Sequence, residues 1–335
     1  MKIIIPMAGR GTRLRPHTLT VPKPLVPIAG KPMVQRIVED LTSGVDEEIE
    51  EIAFITGDFG AEVDQQLHDI AKKLGTKAKI YQQDKPLGIA HALLCAKESL
   101  TGNYIIVFSD TLFRADFKFD LNDEGVIWVQ KVDNPSSFGV VKTQEDGIIT
   151  DFVEKPVKFV SDQAIVGIYY MRDGDKLRDA MQYLIDNDIK VKGEFQLTSA
   201  LEKLNSDGTK FRAMNIEEWL DCGNKASVVN TNQRMLDFKD KTEQLQSESA
   251  QIENSVIIKP CYIGPNVKIL NSVVGPHVSI GSNTTVENCV IKNSVIQNNT
   301  TVENANLENS MIGNHVDYKG RASDISIGDF TQIAK

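Results

Sequence analysis

Ala8-Gly9-Arg10-Gly11-Thr12-Arg13-Leu14-Arg15-Pro16, with Pro22-Lys23-Pro24-Leu25 close behind, follows directly on the short aliphatic run Ile3 to Pro6. A strand that empties into a glycine-rich loop predicts an α/β sheet, in which ligands meet the C-terminal ends of the strands. Gly9 and Gly11 let backbone N–H groups approach phosphate oxygens, and Arg10, Arg13, Arg15 and Lys23 bring positive charge to the same place. Two other nucleotide loops fail on spacing. A Walker loop needs Gly-Lys-Ser/Thr after a longer gap, and a dinucleotide fingerprint needs a third glycine where this chain has Leu14.

Outward from the loop, β-branched and aliphatic runs alternate with segments of helical period. A helix starts at Pro32, which suits a first helical position; Met33, Ile37 and Leu41 share one face, and Gly44 suits the end. Ile52 to Ile55 reads as a strand, about Ala61 to Leu74 as a helix, and Tyr104 to Phe108 as a strand that delivers Ser109 and Asp110. The alternation predicts a Rossmann-like α/β domain over residues 1–235, its mostly parallel sheet covered by helices.

A polar stretch from Asp237 through Ala250 then interrupts the pattern, and 236–251 reads as a linker. From Ile252 a different period takes over. Ile263, Ile269, Val274, Ile280, Val286, Ile291, Ile296, Val302, Leu307 and Ile312 recur every five or six residues. Beside them run Val267, Val273, Val278, Thr284, Val290 and Val295, with Ile-Gly-Pro-Asn and Ile-Gly-Ser-Asn supplying tight turns. A β-sandwich would place its turns about every 8–12 residues. The shorter period predicts a left-handed parallel β-helix over 252–335, built of hexapeptide repeats.

The 335 residues are two domains' worth of chain, and 41% hydrophobic with 25% charged residues is ordinary for a soluble globular protein. A net charge of -9 argues against a nucleic-acid partner, so an anionic ligand must be met by a local basic cluster. Cys95, Cys222, Cys261 and Cys289 show no CxxC spacing, which favours a reducing cytoplasm over a zinc or disulfide site. The apolar run at the N-terminus is too short for a signal peptide and no segment is long enough to span a bilayer, so a cytoplasmic protein with no membrane partner is expected.

The run from Ala8 to Leu25 resembles the signature of the sugar-1-phosphate nucleotidyltransferase family, which includes the glucose-1-phosphate thymidylyltransferases, in its long form with C-terminal hexapeptide repeats. The resemblance implies that Ala8, Gly9, Gly11 and Thr12 hold the nucleotide. Gln83 and Gly88, in Gln83-Asp84-Lys85-Pro86-Leu87-Gly88, resemble the segment that contacts the base, and Asp110 resembles the first metal-binding aspartate. Gly139 in Phe138-Gly139-Val140-Val141 looks like the sugar-side glycine, and Glu154-Lys155-Pro156 matches the contacts to sugar hydroxyl and sugar phosphate. Glu194 and Thr198 resemble a further sugar-site stretch. Trp219-Leu220-Asp221-Cys222-Gly223 resembles Trp-x-Asp-x-Gly, whose aspartate is the second metal ligand. Taken singly, Asp110 reads equally as a turn former, Glu154 with Lys155 as a surface ion pair, Gly139 as a bulge and Asp221 as a cap. Their order along the chain is what carries the resemblance.

The implied reaction joins a nucleoside triphosphate to a sugar-1-phosphate with Mg2+ bound by Asp110 and Asp221. Arg13 is expected on the triphosphate and departing pyrophosphate, Lys23 near the α-phosphate, and Lys155 on the incoming sugar phosphate. A phosphate nucleophile is already ionised at neutral pH, so no catalytic histidine is required. Many similar thymidylyltransferases carry glutamine after the loop lysine, where this chain has Pro24; Ser109 and Asn224 also depart from a common glycine and threonine. Glucose-1-phosphate with dTTP is the first expectation, with UTP and glucose-1-phosphate or GTP and mannose-1-phosphate as alternatives. Two other classes stay open: a bifunctional enzyme whose solenoid transfers acyl groups with His277 or His315 as base, and a non-catalytic sugar-nucleotide sensor or scaffold. The solenoid's exposed backbone edge also predicts a homo-oligomer held partly through that domain.

Overall fold

The computed structural model describes residues 1–115, 117–321 and 326–328; the parts of the expected solenoid at 322–325 and 329–335 lie outside the described residues. The chain forms two compact units, Met1–Val26 with Lys31–Asn224, and Pro27–Gly30 with Lys225–Lys335.

The first unit is built on β1 (Lys2–Pro6), α1 (Met33–Gly44), β2 (Glu51–Thr56), α2 (Ala61–Lys73), β3 (Lys77–Gln82), α3 (Ile89–Cys95), β4 (Tyr104–Val107) and β5 (Thr111–Arg114). It continues through β6 (Gly125–Lys131), β7 (Gly139–Thr143), β8 (Ile149–Glu154), β9 (Gln163–Met171), α4 (Gly174–Asp186), α5 (Leu197–Ser206), β10 (Phe211–Asn215) and β11 (Glu218–Asp221). A nine-stranded sheet runs β8-β7-β9-β4-β1-β2-β3, with β6 paired to β9 and β10 paired to β6. The half from β4 to β3 is parallel, as the alternation of strands and helices predicts. The other half is mixed, because β9 runs antiparallel to β4, β6 and β7. Met33, Ile37 and Leu41 are all buried along α1, while Pro32 stands just before the first helical residue in an extended conformation (φ -50°, ψ 143°). One core cluster takes in Ile4, Ile55, Leu93, Ile106, Ile127, Phe152, Tyr169 and Leu201 from both halves of the sheet. Burial stabilises by about 1.5–3 kcal/mol for each fully buried large apolar side chain of that cluster.

The second unit begins with α6 (Lys225–Lys239), so residue 235, the expected boundary, lies inside a helix whose Met235 and Leu236 are buried. The polar stretch after it is not free of structure: Leu245 is buried and its carbonyl accepts from Ile263 N at 2.8 Å. Among the described residues the solenoid has three parallel sheets of five, four and four strands. Equivalent residues of adjacent coils are 17 or 16 positions apart, three hexapeptides less one or two residues.

The first aliphatic series is buried from Ile263 through Val302, as expected. The second needs correction. Val290 is 51% exposed, because neighbours on a short strand point to opposite faces and Ile291 takes the inside. The partner series inside lies two residues before each aliphatic: Cys261, Val267, Ser272, Val278, Thr284, Cys289, Ser294, Thr300 and Ala305, all buried. Its Ser, Thr and Cys side chains are small, and their polar atoms meet backbone carbonyls of their own or the next coil, as in Thr284 Oγ1 to Gln297 O at 3.0 Å.

The corners are held by asparagines at positive φ, among them Asn266 (57°), Asn283 (56°) and Asn299 (55°). Asparagine tolerates this left-handed conformation better than other residues that carry a Cβ. Its side chain also links coil to coil, Asn266 Nδ2 to Asn283 Oδ1 at 3.1 Å and Asn283 Nδ2 to Asn299 Oδ1 at 3.2 Å. His277 (φ 63°) and His315 (φ 57°) occupy corners of the same kind. No helix of the described residues is long and apolar enough to cross a membrane.

Candidate active site

The phosphate loop takes its shape from one left-handed residue. Gly11 has φ 59° and ψ 39°, and the chain behind it turns once through Thr12–Leu14, with Leu14 buried as an anchor. Thr18 Oγ1 donates to Gly11 O at 2.8 Å and closes the loop from below. A Cβ at Gly11 would stand 2.7 Å from Lys23 Cβ, so the missing side chain is what admits Lys23. Lys23 is only 7% exposed, and its ammonium donates to Asp110 Oδ2 at 2.7 Å.

Asp110 sits between the ends of β4 and β5. Strand β11 pairs antiparallel with β5 so that Asp221 faces Thr111, which brings the second aspartate beside the first. Asp221 Oδ2 accepts from Gly223 N at 3.0 Å, and a Cβ on Gly223 would stand 2.8 Å from that oxygen. Among the described residues no three His, Cys, Asp or Glu side chains gather as a metal group. The two carboxylates do line one cavity, and their hard oxygens would suit a divalent cation.

Two cavities meet here. A smaller one of about 360 Å³ is lined by Gly9, Gly11, Thr12, Lys23 and Pro24, and a larger one of about 660 Å³ by Gly139, Glu154, Lys155, Thr198, Trp219 and Asp221. Arg13, Ile89, Phe108 and Asp110 belong to both walls. Arg13 has no carboxylate partner among the described residues, which leaves its guanidinium for a ligand.

In the larger cavity Thr198 Oγ1 donates to Glu154 Oε2 at 2.6 Å, and Lys155 Nζ lies 3.4 Å from Glu154 Oε1. Lys155 itself is left-handed (φ 44°), a turn that carries the chain out of β8. Tyr169 lines the wall beside Glu154, and burial pushes its phenol well above the usual range, so it stays protonated. Gly139 leaves room for the pair. A Cβ there would be 3.1 Å from Glu154 Oε2 and 3.3 Å from Thr198 Oγ1. Gly139→Ala is therefore expected to displace Glu154 and raise the KM for the sugar substrate about tenfold, with the KM for nucleotide unmoved. Steady-state kinetics with each substrate varied in turn checks this; an unchanged sugar KM removes Gly139 from the site.

Not every expected residue reaches a wall. Ala8, Gln83 and Gly88 line neither cavity, although Gly88 immediately precedes Ile89, which lines both. Glu194 is exposed and lines neither cavity; its Oε2 accepts from Gln196 Nε2 at 3.1 Å, and Gln196 lines the larger cavity. Sequence reasoning also passed over Phe108, Val166, Gly167 and Tyr169. Gly167 was the available signal. A lone glycine in an apolar strand marks a bulge, and here the register shifts between Ile165 and Tyr169, with Gly167 at φ 90° and Phe108 packed where its Cβ would be.

With this geometry in hand, comparison with known proteins is specific. The Nucleotidyl transferase family matches residues 2–237, and the GlmU-like, C-terminal hexapeptide family matches 244–320. A glucose-1-phosphate thymidylyltransferase of Streptomyces antibioticus is 30% identical over 88% of this chain and 87% of its own. The bifunctional protein GlmU of Methanococcus maripaludis is 32% identical over 77% of this chain, but this match spans only 59% of GlmU. A solved Bacillus anthracis structure, provisionally named a glucose-1-phosphate thymidylyltransferase, superimposes with a TM-score of 0.59 at 26% identity, covering 69% of this chain and 94% of that one. Domain match and relatives agree, and the chain belongs to the nucleotidyl transferase family, as a sugar-1-phosphate nucleotidyltransferase with a hexapeptide solenoid.

Proposed function

We propose that the chain joins dTTP to glucose-1-phosphate, forming the nucleotide-sugar and releasing pyrophosphate. The observation that carries this reading is the junction, at Arg13 and Asp110, of a cavity lined by the glycine-rich loop with a second cavity lined by Glu154, Lys155 and Thr198. An oxygen of the sugar phosphate attacks the α-phosphorus. The bond from that phosphorus to the bridging oxygen breaks, and its electron pair leaves with pyrophosphate. Both reactants are anions, so the task is neutralisation and in-line positioning.

Arg13 binds the triphosphate and follows the charge that develops on pyrophosphate. Lys23, shielded from water, acts at the α-phosphate, and Lys155 draws in the sugar phosphate. Glu154, with Thr198 holding one of its oxygens, accepts from sugar hydroxyls and penalises sugars that leave it unpaired. Gly9, Gly11 and Thr12 offer backbone N–H groups to the phosphates. The family generally uses a divalent metal; we assign Mg2+ to Asp110 and Asp221, where it offsets negative charge on the reacting phosphates.

A second base reading has an observation behind it. Pro24 lines the smaller cavity without a side-chain hydrogen-bonding group, so with Gln83 taken as the base contact Pro24 adds no second reader, and thymine and uracil present the same edge to an amide. UTP is therefore the alternative. Pyrophosphate release across dTTP, UTP, GTP, CTP and ATP, each against glucose-, mannose-, galactose- and N-acetylglucosamine-1-phosphate, decides between them. Preference for dTTP with glucose-1-phosphate upholds the proposal. A preference for another pair replaces the substrates, and silence from folded protein favours the scaffold reading.

The proposal is confined to nucleotidyl transfer; in the solenoid His277 and His315 stand at left-handed corners, and His277 Nε2 lies 2.8 Å from Asp237 Oδ1. For quaternary state we propose a homo-oligomer through the solenoid. Val256, Val273 and Val290 stack in register on one outer face, with Val256 56% and Val290 51% exposed. Light scattering of the full chain is expected to give a multiple of 37.1 kDa; a monomer mass refutes it.

A further inference from the structure

Gln83 follows β3, and its backbone N–H donates to Thr56 O at 2.8 Å. Its side-chain nitrogen lies 3.4 Å from Gly88 O and 3.3 Å from His91 Nδ1. These two contacts fix the amide. Gly88 O can only accept, and it already accepts from Ala92 N at 3.0 Å, so an amide turned the other way would set oxygen against oxygen. The second amide proton is left for His91 Nδ1, which places the imidazole proton on Nε2. His91 lies near the start of α3, where the buried Ala90, Ala92 and Leu93 hold the helix against the core.

Both donors of Gln83 are thus spent within the chain. Its carbonyl oxygen is the group left for a ligand, with no donor among the described residues. We propose that His91 is a positioning residue for base choice: by accepting one amide proton it holds Gln83 with its oxygen outward, so that the site selects bases presenting a ring N–H. Uracil and thymine present N3–H and guanine N1–H. Cytosine presents a bare N3 and adenine a bare N1, which would face the oxygen lone pairs. This rests on the reading of Gln83 as the base contact. Both bonds are long, so Gly88 O alone holds the amide loosely; without His91 the side chain swings away from Gly88 O and its oxygen is no longer held outward to reject cytosine.

The test compares kcat/KM for UTP and CTP in the full chain and in His91→Leu, His91→Asn, Gln83→Ala and the double variant Gln83→Ala/His91→Leu. His91→Asn keeps an acceptor near the Nδ1 position and is expected to hold the UTP:CTP ratio. His91→Leu is expected to lower the ratio about tenfold, the weight of one hydrogen bond left unmade. In the Gln83→Ala background His91→Leu is expected to add nothing, since its effect passes through Gln83. A wild-type ratio in His91→Leu overturns the proposal, as does an equal drop with and without Gln83. A wild-type ratio in Gln83→Ala instead shows that Gln83 does not meet the base, while pyrophosphate release in the same assays reports separately on the transfer reaction.

Discussion

Asp110→Asn lowers turnover by about 10²–10³ and leaves the protein folded, the expectation for loss of one electrostatic group at a reacting phosphate. The substitution is nearly isosteric, and the Asp110 side chain is 38% exposed, so no core packing is disturbed. Asparagine Oδ1 still accepts from the Lys23 ammonium, which keeps that sheltered cation partnered. The negative charge is what is lost, and with it half of the carboxylate pair formed with Asp221 on the neighbouring strand. Pyrophosphate release under saturating substrates measures the effect, and thermal unfolding shows whether the fold survives. Parent-like turnover removes Asp110 from the reaction. Loss of activity with a melting temperature lowered by more than about 5 °C would instead point to a structural role.

The same residues show how far the chain could be read without coordinates. The loop from Gly9 to Lys23 was legible because phosphate binding by backbone demands glycines and local cations, and few other loops share that spacing. Asp110 was legible because a strand end in an α/β sheet is a ligand-facing position. The apolar walls were not. Ile89, Phe108 and Tyr169 line the cavities, yet each belongs to a run that reads as ordinary core, and only the bulge at Gly167 turns Phe108 toward the site. Glu194 was named by resemblance of its stretch to a sugar site, which does not say which residue faces inward; Gln196 is the one that lines the larger cavity. In the solenoid the period gave the architecture, but the inner partner series is made of Ser, Thr, Cys and Ala as well as Val, so hydrophobicity alone picked the outward Val290. The antiparallel pairings of β9 were hidden for a related reason, since strand direction follows from connections that periodicity does not specify.

Gly88→Ala is the substitution expected to damage both substrate sites at once. Gly88 has φ 114° and ψ 176°, a region essentially closed to residues with a Cβ. The added carbon would also stand 2.5 Å from Phe195 O and 2.7 Å from Phe195 N. The contact cannot be relieved by a rotamer change, because the obstacle is backbone. It is also a clamped backbone: Phe195 N donates to Leu87 O at 2.9 Å, and Ala90 N donates to Phe195 O at 3.0 Å. Pushing these segments apart moves Gly88 O away from the Gln83 amide on one side. On the other it shifts Gln196 and Thr198, which line the larger cavity. A displacement of about 1 Å at such positions costs about 10²-fold in kcat/KM. Both KM values should therefore rise together, unlike the sugar-only change at Gly139. Steady-state kinetics with each substrate varied in turn reads the difference. A rise confined to the nucleotide KM would mean that the Phe195 segment yields on its own and that the two sites are not mechanically joined through it.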